Sequence, residues 1–204
     1  MGPDAATVFS TLLAAPGVVE TTVLRGRFGF MAFHGGALEQ QTDVIAAVAA
    51  ERSGASLYAV AHPPPDPAHF PSIHVHRDGS PRLAEFLDHV DVVVTIHGYG
   101  RWGMFTSLLL GGGNRELAAT IAAVLAPALP EYDVVTDLEA IPRELRGLHP
   151  DNPVNVPRGG GVQIELPPRV RGLGPRWADW RGEGYVPPMA ALIDSLAGVA
   201  GSWR

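Results

Sequence analysis

DVVVTIHGYG, residues 91–100, is the stretch on which the fold turns. Val92, Val93, Val94 and Ile96 run without the polar alternation of a half-solvated strand, so both faces of the segment must be covered. The preceding PRLAEFLDHV, residues 81–90, starts on a proline suited to a first helical turn and has helical apolar spacing. A helix leading straight into an all-apolar strand predicts a parallel sheet with helices on both faces. The apolar run breaks at His97, with Gly98 behind it, which puts an imidazole at the end of a buried strand.

Upstream, apolar residues at Ala6, Val8, Phe9, Leu12 and Leu13 predict an opening helix from Pro3 to about Ala15. TTVLRG at 21–26 and GFMAFHG at 29–35 are β-rich runs joined across Arg27 and Phe28, and are expected to form a hairpin. The spacing from Leu38 to Arg52, with Gly54 beyond it, predicts a helix that begins at Glu39. SLYAVA at 56–61 is a strand, and the five prolines of HPPPDPAHFP at 62–71 leave only a surface loop. SIHVH at 72–76 is expected to be a short strand.

Downstream, MFTSLLLGGG at 104–113 supplies a strand, Asn114 to Leu125 a helix capped by Asn114, and YDVVTD at 132–137 and VQIEL at 162–166 the last strands. PMAALIDSLAGVA at 188–200 reads as a final covering helix. The expected fold is α/β, a mixed and mostly parallel sheet between helices, as one domain over 1–204.

Composition narrows the chemistry. The formal net charge of -6 gives no electrostatic footprint for nucleic acid or an anionic membrane surface. Without cysteine there is no disulfide framework, thiolate nucleophile or cysteine metal site. All 15 basic residues are arginine, which excludes Schiff-base lysines and the phosphate-loop lysine. No run reaches the ~18 apolar residues of a membrane span, and no basic flank precedes an apolar segment at the N-terminus, so a cytoplasmic protein is expected. Oligomeric state is not readable from the sequence.

Any metal must therefore rest on histidine and carboxylate. GFMAFHGGALE at 29–39 repeats the strand-His-Gly pattern of 91–100, so His34, Glu39 and His97 can meet at one sheet edge. Two imidazoles and a carboxylate form a catalytic zinc set with a fourth position left for water. Taken singly, each histidine could instead cap its strand, and Glu39 could face the positive end of a helix. GGGVQIELP at 159–167 carries Glu165, a separate base, unless its alternation with Val162, Ile164 and Leu166 turns it to solvent on an antiparallel strand. His74 and His76, with Asp78 behind, make a rival metal set. His62, His69, His89 and His149 read as surface residues.

HGGALE, TIHGY and RGGGVQIEL, in this order, resemble the poly-γ-glutamate hydrolase family of zinc carboxypeptidase-like enzymes. The resemblance runs from about Gly29 to Arg171. It implies a zinc carboxypeptidase-like fold, one zinc ion held by His34, Glu39 and His97, Glu165 as the catalytic glutamate, and an acidic amide or peptide substrate. Arg158 matches a family arginine, and is expected to bind substrate carboxylate through its guanidinium fork. Tyr99, Arg101 and Arg115 are further substrate-binding candidates. The proline-rich loop at 62–71 and the Trp-rich segment at 175–184 depart from the family pattern and are expected near substrate. Two other readings remain: a deacylase of small N-acyl amino acids, and a metal-bearing binding module without turnover.

Overall fold

A computed structural model describes residues 4–65, 67 and 69–203. Among them the elements run α1 (Ala5–Leu13), β1 (Val19–Val23), β2 (Phe28–Gly36), α2 (Thr42–Ser53), β3 (Ser56–His62), α3 (Pro81–His89), β4 (Val92–Gly98), β5 (Ser107–Leu110), α4 (Arg115–Ala128), β6 (Asp133–Val135), β7 (Gly161–Leu166) and α5 (Pro187–Ser202). Pro3, the expected start of α1, lies outside the described residues.

Local chemistry accounts for the element ends. The Ser80 side chain accepts the Leu83 N–H at 3.1 Å and Pro81 fills the first turn of α3, where no backbone N–H is needed. Asn114 caps α4 as expected, accepting the Leu117 N–H at 2.9 Å. Gly54 ends α2 in a left-handed conformation, φ 70°.

The seven strands form one sheet in the order β1-β3-β2-β4-β7-β5-β6. Only the β1/β3 and β5/β7 pairings are antiparallel; β3/β2, β2/β4, β4/β7 and β5/β6 are parallel. The sheet is mixed and mostly parallel, with helices on both faces. Phe28, Phe30, Val94, Ile96, Val162 and Ile164 pack on the side of α2, α4 and α5. Met31, Phe33, Tyr58, Val60 and Val93 pack on the other with Phe9 of α1 and Leu83 and Phe86 of α3.

The structure corrects three local expectations. The first two strands do not form a hairpin: β1 pairs with β3 at the edge, and β2 sits between β3 and β4. Burial explains this, because β2 is apolar on both faces and needs a central place, while Val19 of β1 is 57% exposed. SIHVH does not extend. His74 N–H bonds to the Pro71 carbonyl at 2.9 Å and Val75 N–H to that of Ser72 at 3.0 Å, closing a 3-10 turn over Ser72–His74. The helix after β2 begins at Thr42, leaving Glu39 in a turn.

Candidate metal centre and cleft

His97 and Glu165 are opposed in register at the C-terminal ends of the parallel strands β4 and β7. Along these strands, residues 92, 94 and 96 and residues 162, 164 and 166 face α2, α4 and α5. His97 and Glu165 therefore share the opposite face, where strand neighbours lie about 4.8 Å apart. Both are buried, so Glu165 does not take the solvent-facing alternative.

Strict alternation along β2 would send His34 to the wrong side, with Phe30 and Ala32. The register against β3 slips by one residue, from Ala32↔Ala59 to Gly35↔Ala61, so Phe33 and His34 together oppose Val60. This bulge re-aims His34 onto the face of His97, and the two imidazole rings lie 5.0 Å apart. His62, buried in β3, bonds through Nε2 to the Phe33 carbonyl within the bulge at 3.0 Å.

Glu39 arrives through a tight turn. Its N–H bonds to the His34 carbonyl at 2.7 Å, its carbonyl accepts the Thr42 N–H at 3.2 Å, and Gln41 takes φ 74°. Gly36 makes the turn possible, with φ 67° and a position where a Cβ would lie 2.4 Å from the His62 carbonyl oxygen. The Glu39 carboxylate then stands between the imidazoles, Oε1 3.0 Å from His34 Nδ1 and Oε2 3.3 Å from His97 Nδ1. Oε2 also accepts the Gly98 N–H at 2.8 Å.

These residues fit a metal ion. Among the described residues they are the one His/Asp/Glu group of three whose ligand atoms converge, all within 4.8 Å of one another. Ligand atoms about 2.0–2.1 Å from a tetrahedral zinc are roughly 3.3 Å apart, close to the Nδ1–Oε separations here. Burial disfavours a charged Glu39, but His97 and His34 together hold its carboxyl well below the ordinary range. Burial likewise lowers His34, to about 4, whereas at His97 the adjacent Glu39 and Glu165 outweigh burial and raise it. A neutral His34 beside an ionised carboxylate is a ready ligand pair.

Glu165 is held differently. Gln163 Nε2 donates to its Oε1 at 2.8 Å, and Asn152 Nδ2 donates to Gln163 Oε1 at 2.8 Å, which fixes the way the Gln163 amide points. Burial pushes the Glu165 carboxyl up to about 7. That poises it to exchange a proton near neutrality. Gln163 was visible in the sequence as the residue sharing Glu165's strand face; the part of Asn152 had no local signal.

A cleft of about 530 Å³ opens over these groups. Tyr99 lines it, but its hydroxyl is shared between the carbonyls of Met104 and Ser107, at 2.8 and 2.7 Å. Arg101 is half exposed and tied to Glu144 at the rim. Arg115 is turned inward, donating to the carbonyls of Leu110, Gly112 and Thr136. Arg158 is not brought to the cleft. It precedes β7, lies 3.6 Å from Asp91 and is exposed beyond the opposite ends of the strands, some five residues or roughly 16 Å from His97.

Among the described residues, the arginine in the cleft lining is Arg143, in a 3-10 turn after β6. His69 and His149, read from sequence as surface residues, also line the cleft, and the His69 ring lies 5.1 Å from that of His34. The rival set is not assembled: His74 and His76 lie in and beside successive 3-10 turns, and His76 Nδ1 accepts the Asp78 N–H. His69 and Pro71 bring the end of the proline-rich loop to the cleft; Asp66 and Ala68 within that loop lie outside the described residues. The Trp-rich segment packs elsewhere, with Trp177 and Trp180 against the core on the side of the sheet that α2, α4 and α5 cover.

Fold and site together define an α/β protein with a His-Glu-His cluster whose histidines are buried, and a partnered glutamate, at the C-terminal edge of its parallel strands. The chain belongs to the poly-γ-glutamate hydrolase family, whose sequence model matches residues 13–173. It is a hydrolase of that family. Among solved structures, its fold is similar to that of a bacteriophage poly-γ-glutamate hydrolase, 19% identical over 97% of this chain and 96% of that one, with a TM-score of 0.78. YNDL in its zinc-free apo form is 20% identical over 91% and 90%, with a TM-score of 0.73. The gene product Atu2144 from Agrobacterium tumefaciens is 15% identical over 91% and 93%, with a TM-score of 0.55. No curated protein matches the sequence.

Proposed function

We propose that His34, Glu39 and His97 hold one zinc ion and that the protein hydrolyses amide bonds in γ-glutamyl or related acidic amide substrates. The observation that carries this reading is the convergence of the three donors on one face of the sheet, with Glu165 beside His97 on the neighbouring strand. When bound, the metal supplies Lewis acidity to a water molecule and to the scissile carbonyl. Glu165 takes the proton from the attacking water through the oxygen that Gln163 leaves free, and hands it to the departing amine. Its burial keeps bulk water from levelling this exchange, and Gln163 keeps the carboxyl from rotating away. Arg143 is the cleft cation available to a substrate carboxylate.

One observation favours a second reading. Ile73, Leu145 and Leu148 line the cleft with Arg143, an apolar wall that suits an acyl group. The deacylase reading is therefore the second arm of the test. Purified protein is analysed for zinc, then offered γ-linked glutamate oligomers and short N-acyl amino acids while free amine is measured. Zinc near one per chain with release from the oligomers supports the first reading; release only from acyl amino acids supports the second. Bound metal without release from either would leave a binding module.

A further inference from the structure

The buried guanidinium of Arg171 has no part in the mechanism above. It lies in the turn after β7, 6% exposed, and its Nε has no hydrogen-bond partner. Its Nη1 donates to the Gln40 carbonyl at 2.7 Å, across 131 residues of sequence. Its plane covers Gly98 so closely that a Cβ there would lie 2.6 Å from Arg171 Cζ and Nη1. Gln40 directly follows the ligand Glu39, and Gly98 directly follows the ligand His97. The Gly98 N–H is also the group that donates to Glu39 Oε2. One side chain thus touches the backbone behind two of the three donors, and its charge faces both Glu39 and Glu165.

We infer that Arg171 is a positioning residue of the metal centre, a guanidinium clamp that fixes the Glu39 turn against the end of β4 and thereby holds Glu39 and His97 at ligating separation. The inference rests on the zinc reading of the site. It explains why β4 must end in glycine: Gly98 leaves the space the guanidinium occupies. A planar fork with several fixed donors can hold a carbonyl while lying flat on a Cα, and an ammonium cannot. Groups behind metal ligands commonly control affinity without touching the ion.

The test is zinc affinity of the full chain, measured by competition with a chromophoric chelator, together with the d–d absorption of the cobalt-substituted protein. R171M and R171K should each weaken zinc binding by about 10- to 100-fold and shift the cobalt bands. G98A keeps the N–H to Glu39 and adds only the Cβ that displaces the guanidinium, so it should weaken binding in the same way. If the methionine variant fails to fold by circular dichroism, G98A decides. In the R171A background, the added Cβ has room, and G98A should cost little further affinity. Wild-type affinity and spectrum in R171K and G98A, or losses that simply multiply in the double variant, would overturn the clamp. Wild-type protein that binds no zinc would overturn the metal reading with it, whereas binding wild type with indifferent variants overturns Arg171 alone.

Discussion

Glu165 differs from an ordinary buried carboxylate in having a neutral amide, Gln163, as its hydrogen-bonded partner. With Glu165 in the proposed role of proton acceptor, E165Q should leave zinc content intact and lower turnover by a factor on the order of a hundred or more. Unchanged turnover would remove it from the mechanism. The same residue leaves a signature in stability. Without metal, the folded protein holds a proton on Glu165 up to about pH 7, while the unfolded chain loses it near 4.5. Between those values the folded state binds the extra proton, so stability falls as pH rises. His34, lowered from 6.5 to about 4, acts in the opposite sense: the unfolded chain binds the extra proton, and stability rises with pH. The comparison with E165Q separates them. Relative to that variant, the wild-type urea midpoint should fall as pH goes from about 4.5 to about 7, and parallel curves would contradict the assignment. At this scale the sequence was informative about residue type and poor about arginines. Strand-end histidines stand out because glycine follows them, whereas Arg143 and Arg171 look in the sequence like any other arginine.

The element that decides the site is β2. Its apolar run and its terminal His-Gly-Gly are legible, but the extra residue at Phe33 and His34 is not, because a bulge is a property of two strands in register. The turn that follows departs from expectation for a related reason: apolar spacing from Leu38 onward is helical, while Gln41 at φ 74° delays the helix to Thr42. Gly36 is where this element can be tested. G36A places a Cβ 2.4 Å from the His62 carbonyl oxygen in a left-handed conformation. It should destabilise the protein by about 1–3 kcal/mol, read as a lowered urea unfolding free energy. A neutral substitution would mean that the β2–β3 junction tolerates another path. The hairpin expected of β1 and β2 does not form: adjacency in sequence suggests that the two strands pair, and the burial of both faces of β2 prevents it.

Across the whole molecule, the donors come from β2, from the turn before α2 and from β4, so an ion at the site ties together segments that separate on unfolding. Chelation should therefore lower the thermal midpoint, and restored zinc should raise it again. Free zinc at a hundredfold over the dissociation constant adds about 2.7 kcal/mol of stability. A midpoint indifferent to chelator and to zinc would argue against an ion bound by the native fold. None of the helices among the described residues is long and apolar enough to cross a membrane. The sequence by itself determined the α/β class, the strands and covering helices, and the donor types available for chemistry, because apolar periodicity, glycine breaks and the lack of lysine and cysteine are local properties. Tertiary structure alone decided which face His34 serves, that Glu165 is locked by Gln163 and Asn152, that Arg158 lies at the far end of the sheet, and that Arg171 reaches the backbone behind Glu39 and His97. Each of these depends on strand order and register, which are set by long-range packing and leave no periodic trace in the chain.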